Sequence, residues 1–167
     1  MTDTSFISTY FTEEKISASI MIVIGSVSLI LSLFFLLIIK YSFFKGMAFP
    51  LLLLGMLQVC VGAYIVGRSP KDIVRVNHQF KMEPQKLKTH ELPRMKKVLW
   101  NFVIYKWIEV ILILIGTILM IAFYKSTQTF WKGFGLGLLL QSGIIFTLDS
   151  VAEKRAEHYV NILSQLT

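Results

Sequence analysis

The sequence predicts an all-α integral membrane protein with four transmembrane helices arranged in two hairpins. Four long apolar runs occupy more than half of the 167 residues, and 54% of all residues are hydrophobic. Most Lys and Arg residues lie between these runs or beside them. About 20 helical residues cross a hydrocarbon layer of ~30 Å. The pattern therefore indicates that lipid, rather than water, surrounds most of the chain.

The first two runs are long enough to cross a bilayer unaided. The first holds 24 uncharged residues and predicts a span at about 16–39, and the second holds 22 and predicts one at about 46–67. The first run is longer than the apolar region of a signal peptide, and acidic residues rather than a basic cluster precede it. We therefore expect it to be a retained helix.

The third and fourth runs are shorter. They contain 15 and 16 uncharged residues, and each reaches the length of a span only if its helix includes a nearby acid, Glu109 or Asp149. Runs of this length also occur in buried helices of soluble proteins, but two clear spans in the same chain favour the membrane. The predicted spans are about 105–124 and 131–152.

Residues 68–104 form the one long polar segment, and 153–167 form a polar tail. The tail is expected to continue the fourth helix, and all of these parts together make a single domain, 1–167. The central segment is predicted to be a helical loop. It could bind a partner or simply connect two spans, and the sequence favours the connector.

Prolines divide this loop into predicted helices. Ser69 is suited to an N-cap and Pro70 to the first position of a helix, which predicts a short helix over 71–80. Its apolar residues recur at helical spacing, so this helix could lie on the bilayer surface. Pro84 should interrupt it, and Pro93 should begin a helix that runs directly into the third span.

The distribution of Lys and Arg predicts the orientation. With four spans, both termini and the central loop share one side, which carries thirteen basic residues against four on the other side. Basic residues in short loops resist translocation. We therefore expect both termini in the cytoplasm, and the small size of the chain favours a bacterial inner membrane.

The net charge of +7 is thus concentrated on the predicted cytoplasmic side. Positive-inside topology accounts for most of it, and attraction to anionic lipid headgroups is the further hypothesis. The basic residues flank spans and no nucleic-acid-binding motif accompanies them, so we predict no nucleic-acid partner.

Small and polar residues within the spans are candidates for helix packing, because they let helices approach closely and hydrogen-bond to one another. The candidates are Gly25, Ser28 and Ser32 in the first span, Gly55, Gln58 and Gly62 in the second, and Gly133, Gly137 and Gln141 in the fourth. They could pack inside one chain or against another membrane protein.

Glu109 and Asp149 are the acids at the edge of the hydrophobic zone. If the third and fourth helices are antiparallel neighbours, the two carboxyl groups lie at similar depth. Intramembrane acids commonly have functional roles. Here a structural ion-pair network is an equally simple explanation, because Lys106 and Arg155 are near in sequence.

The sequence offers no catalytic, cofactor-binding or metal-binding motif. The histidines, His78, His90 and His158, all fall in polar segments, without a recognised ligand spacing. Cys60 is the single cysteine, which excludes an intramolecular disulfide. We interpret it as a small packing residue in the second span.

Three classes of function follow from these observations. The leading prediction is a non-catalytic protein that interacts with another membrane protein, as an accessory subunit or an immunity-type protein would. The alternative is a homo-oligomeric channel or small transporter lined by Gln58, Gln141, Glu109 and Asp149. The third class is an enzyme that acts on lipid at the cytoplasmic interface, using His78, His90 or His158 with nearby acids.

Overall fold

The protein consists of four long helices, and its computed structural model describes residues 5–166. Helix α1 covers Ser5–Leu37, α2 covers Ser42–Met82, α3 covers Pro84–Ala122 and α4 covers Thr129–Leu166. The described residues contain no strand. Residues 1–4 and 167 of the predicted domain lie outside this range. The all-α prediction is confirmed.

Each helix is long and apolar enough to cross a membrane. Each also extends beyond its predicted span at the end that carries the termini of the chain. The helices contain 33, 41, 39 and 37 residues up to Gln165, whereas a span requires about 20. We call the projecting part the cap and define it as residues 5–15, 68–104 and 153–166.

Helix α2 runs through Ser69 and Pro70 without a break. The prediction of a separate helix over 71–80 is therefore wrong. Ser69 is fully buried and does not cap a helix. Its hydroxyl lies 2.8 Å from the carbonyl oxygen of Ile65 and 3.0 Å from a carboxylate oxygen of Glu14 in α1. The first contact lies within α2, and the second joins α2 to α1 beside Pro70.

The prolines at 84 and 93 act as predicted. Helix α2 ends at Met82, and Pro84 begins the next helical segment. A π-helical turn, Leu87–Glu91, then leads into the regular helix Leu92–Ala122, which has Pro93 in its first turn. The π turn directs Leu87 and Glu91 into the interior of the cap.

The cap has its own hydrophobic core, to which all four helices contribute. The buried members are Ile7, Tyr10, Phe11, Val76, Leu87, Met95, Ala156, Tyr159, Val160 and Leu163. Ile73 and Phe80 pack against this core, so the apolar stripe for which the sequence allowed a place on the bilayer surface faces the core instead. Burial of large aromatic and aliphatic side chains is what stabilises a structure surrounded by water.

The helices pack differently within the predicted spans. Helix α1 packs along α2, α2 along α4 and α4 along α3, and α1 also touches α4. Within the spans, α3 packs on α4 alone. The buried positions there are mainly Gly, Ser and Gln instead of large apolar residues.

Candidate functional site

Three of the predicted glycines lie between α1 and α2. A Cβ atom at Gly25 would lie 2.8 Å from the carbonyl oxygen of Gly55, and one at Gly62 would lie 2.8 Å from that of Ala18. Real Cβ atoms do not approach backbone oxygens so closely. Gly25, Gly55 and Gly62 therefore allow the two helices to touch within one chain.

The glycines predicted in α4 face α2. A Cβ atom at Gly137 would lie 2.7 Å from the carbonyl oxygen of Met47, and one at Gly133 would overlap the carbonyl group of Phe43. Gly133 and Gly137 are thus also used within the chain. The sequence left open whether these faces are internal or shared, and the structure places them inside.

Sequence reasoning missed a third close contact, between α3 and α4. A Cβ atom at Gly116 would lie 2.8 Å from the carbonyl oxygen of Gly135, and the reverse distance is also 2.8 Å. Gly116 is the single glycine of the third apolar run, and this was the available signal.

A buried polar network joins α1, α2 and α4 near the middle of the spans. The amide of Gln141 donates to Gln58 Oε1 at 2.5 Å, and the Ser28 hydroxyl lies 3.0 Å from Gln141 Oε1. Both glutamines are 1% exposed. Gln58 Nε2 has no hydrogen-bond partner among the described residues. The network ties three helices together and holds one unused donor.

Ser32 adds a second polar link between α1 and α2. It is fully buried and donates to the carbonyl oxygen of Ala48 at 2.8 Å. A hydrogen bond to a backbone carbonyl satisfies the serine hydroxyl in surroundings without water. Ser32 is therefore a packing residue within the chain.

Glu109 and Asp149 meet at the interface between α3 and α4. Glu109 is 5% exposed, and its carboxyl group lies close enough to that of Asp149 for the two to interact directly. Glu109 Oε2 has no hydrogen-bond partner among the described residues. Nearer the cap, Lys106 of α3 forms an ion pair with Glu153 of α4. Two acids facing each other at this depth form the most unusual electrostatic feature of the protein.

A chain of ion pairs crosses the cap from α1 through α2 to α3. Asp72 and Glu91 are its buried acids, with 6% and 2% exposure. Glu91 accepts two hydrogen bonds from Arg94, at 2.6 and 3.0 Å. Burial alone would lower the pKa of Arg94, but these bonds and the charge of Glu91 outweigh it and raise that pKa. The full order is Glu14–Arg68–Asp72–Arg75–Glu91–Arg94.

Helix α4 joins this part of the cap through Arg155. Its guanidinium donates to the carbonyl oxygen of Glu13 at 2.9 Å and to the hydroxyl of Ser17 at 2.8 Å. Together with the ion pairs, these bonds connect all four helices at the level where the predicted spans end. The connection makes the cap and the span region one continuous structure.

The histidines and the cysteine contribute to none of these clusters. His78, His90 and His158 are exposed, and no three His, Cys, Asp or Glu side chains of the described residues are placed to hold a metal ion. Cys60 is also exposed and points away from the other helices. Its interpretation as a packing residue is therefore wrong, because the face of α2 that carries it has no neighbouring helix.

These features define a class of protein, namely an all-helical protein with four helices able to cross a membrane, a packed cap and buried polar clusters between the helices. No family model, no curated protein and no solved structure matches the chain.

Proposed function

We propose that this chain is a non-catalytic membrane protein that acts by binding another membrane protein, as an accessory subunit or an immunity-type protein. In this proposal the helices cross a bacterial inner membrane as two hairpins, with both termini and the cap in the cytoplasm. The exposed Lys residues of the cap then lie near anionic lipid headgroups, which attract them.

The observation that carries this proposal is a face of α4 that no other helix uses. Leu140, Ile144, Thr147 and Val151 recur at helical spacing and are exposed. Gly143 lies beside them, and a Cβ atom there would meet nothing within 4 Å. The faces of α4 that carry Gly137 and Gly135 are already occupied, so this is its third and open face.

A glycine that faces lipid makes few contacts, whereas a glycine that faces a second helix lets the two backbones approach closely. Association in membranes depends on such packing and on hydrogen bonds, since burial of apolar side chains provides little drive there. Gly143 and Thr147 are four residues apart, a spacing typical of helix contacts. The partner that fits this face is a transmembrane helix of another protein.

Crosslinking from two matched positions tests the proposal. In a Cys60→Ser chain, Ile144→Cys places a thiol on the open face of α4, and Ile118→Cys places one on the outer surface of α3. Both isoleucines are exposed, with 39% and 62% accessibility. We expect a thiol crosslinker in native membranes to join Ile144→Cys to one defined protein of different mass, with little product from Ile118→Cys.

A second variant connects the crosslink to the surface itself. Gly143→Leu fills the open space on α4, where a Cβ atom meets nothing within 4 Å, so it should abolish the crosslink from position 144 and leave the chain folded. Equal products from positions 144 and 118 would contradict the proposal. A product made only of two copies of this chain would replace it with self-association.

The homo-oligomeric channel receives less support from the geometry. A pore between protomers requires polar side chains on the outer surface, but Gln58, Gln141 and Glu109 are at most 5% exposed. The third class, a lipid-modifying enzyme, would use His78, His90 or His158 with nearby acids. All three histidines are exposed, and none belongs to the buried polar clusters.

A further inference from the structure

The carboxyl groups of Glu109 and Asp149 lie in the predicted spans, on the facing surfaces of α3 and α4. The close contact of Gly116 with Gly135, deeper in the span, holds these two helices together. Glu109 is buried, and its Oε2 atom has no hydrogen-bond partner among the described residues. A carboxylate oxygen without a donor in such surroundings calls for a ligand.

The charges around the pair do not balance it. Lys106 is the cation that acts on Glu109 from α3, and it forms an ion pair with Glu153. Glu153 in turn adds a negative charge near Asp149 on α4. One lysine therefore faces three carboxyl groups, and two ionised acids in direct contact at low dielectric would repel each other strongly.

We propose that Glu109 and Asp149 form a proton-binding site, in which one proton is held between the two carboxyl groups. The proton lets one carboxyl donate a hydrogen bond to the other, which removes the repulsion and gives the unpartnered oxygen a role. No other ligand is needed, and the two acids act as a unit rather than as separate groups.

Release of this proton acts directly on the position of α3. Within the spans α3 packs on α4 alone, so repulsion between two ionised carboxylates acts at its single helix interface. The deprotonated site therefore loosens α3 from α4, while the cap keeps the two helices joined at their ends. This inference does not depend on the proposed partner at the open face of α4.

Labelling with dicyclohexylcarbodiimide tests the site in the full chain, held in lipid nanodiscs. This apolar reagent reacts with protonated carboxyl groups inside membranes: the acid proton passes to a nitrogen of the reagent and the carboxylate oxygen attacks its central carbon. The O-acylisourea then rearranges to a stable N-acylurea, so the whole reagent is retained and mass spectrometry locates it.

We expect one adduct per chain, on Glu109 or Asp149, and at least a tenfold loss of labelling rate as the pH becomes alkaline. The double variant Glu109→Gln and Asp149→Asn should remove the adduct, while Glu157→Gln, at an exposed position of the cap, should leave it unchanged. Absence of any adduct on both acids in the unmodified chain would overturn the proposal. So would protection by Na⁺ or K⁺ at constant pH, which would identify a metal cation site.

Discussion

At the scale of the residue, Tyr159 is a large polar side chain buried in the core of the cap. Its side chain is 1% exposed and stacks on Tyr10 with 4.2 Å between ring centroids. The hydroxyl has no hydrogen-bond partner among the described residues. Burial, and then the nearby charge of Glu91, raise the pKa of Tyr159 above its ordinary value.

The raised pKa has a definite consequence for stability. An unfolded chain ionises its tyrosines near pH ~10, whereas the folded cap retains the proton to higher pH. Below that pH both states are protonated and the full stability is present. As the pH rises above ~10, the unfolded chain loses protons first and the cap loses stability. Burial also raises the pKa of Tyr10, which adds to the effect.

We therefore expect Tyr159→Phe to leave the cap equally stable at neutral pH, or more stable by about 1 kcal/mol. A buried hydroxyl without a partner costs about 1–3 kcal/mol, and the variant removes it while keeping the ring. The loss of stability above pH ~10 should also become shallower. Denaturant unfolding followed by near-ultraviolet circular dichroism measures both effects.

The matched control is Leu163→Ala, because Leu163 is fully buried in the same core. It should lower the free energy of unfolding by about 2–5 kcal/mol, which establishes that the measurement reports on the cap. A clear destabilisation by Tyr159→Phe would mean that the hydroxyl has a partner after all.

At the scale of the element, the sequence predicts the helices better than their contacts. The lengths of the uncharged runs predicted each apolar helix. Pro84 and Pro93 predicted helix starts that lie on either side of the π turn. Ser69 and Pro70 predicted the start of a helix that does not begin there. Arg68, next to them, forms an ion pair with Glu14, which is 54 positions away in the sequence. No local pattern contains that contact, which joins α2 to α1.

The partners of the small residues could not be predicted for a related reason. A glycine in an apolar helix indicates a close contact but carries no information about which helix makes it. Gly133 and Gly137 face α2, while Gly135, between them in sequence, faces α3. Neighbouring glycines of one helix thus belong to two interfaces, and only the arrangement of the helices distinguishes them.

Two glycine substitutions should have opposite effects on stability. Gly116→Ala adds a methyl group 2.8 Å from a backbone oxygen of α4, so α3 must move away, at a cost of about 1–3 kcal/mol. Gly67→Ala meets nothing within 4 Å and should gain about 0.5–1 kcal/mol through helix propensity. Thermal unfolding in one detergent compares the two variants. Equal effects would contradict the close contact between α3 and α4.

At the scale of the whole molecule, the cap and the span region have two different kinds of core. The cap buries aromatic and aliphatic side chains, as a protein in water does. The span region buries Gly, Ser and Gln, which is the pattern expected of helices in lipid, where close backbone contact stabilises helix pairs. The change from one core to the other occurs at the level of Glu14 and Arg68, where the ion pairs begin.

The orientation of the molecule is the last prediction, and it depends on charge. Because thirteen basic residues lie on the cap side and four on the other, the cap should remain in the cytoplasm. In a Cys60→Ser chain, an impermeant thiol reagent should label Thr127→Cys on intact bacteria, but should label His90→Cys only after the membrane is opened. Both positions are exposed, so access from solution decides the result. The reverse labelling pattern would place the cap outside, and the partner and lipid charges expected near it would then have to be sought on that side.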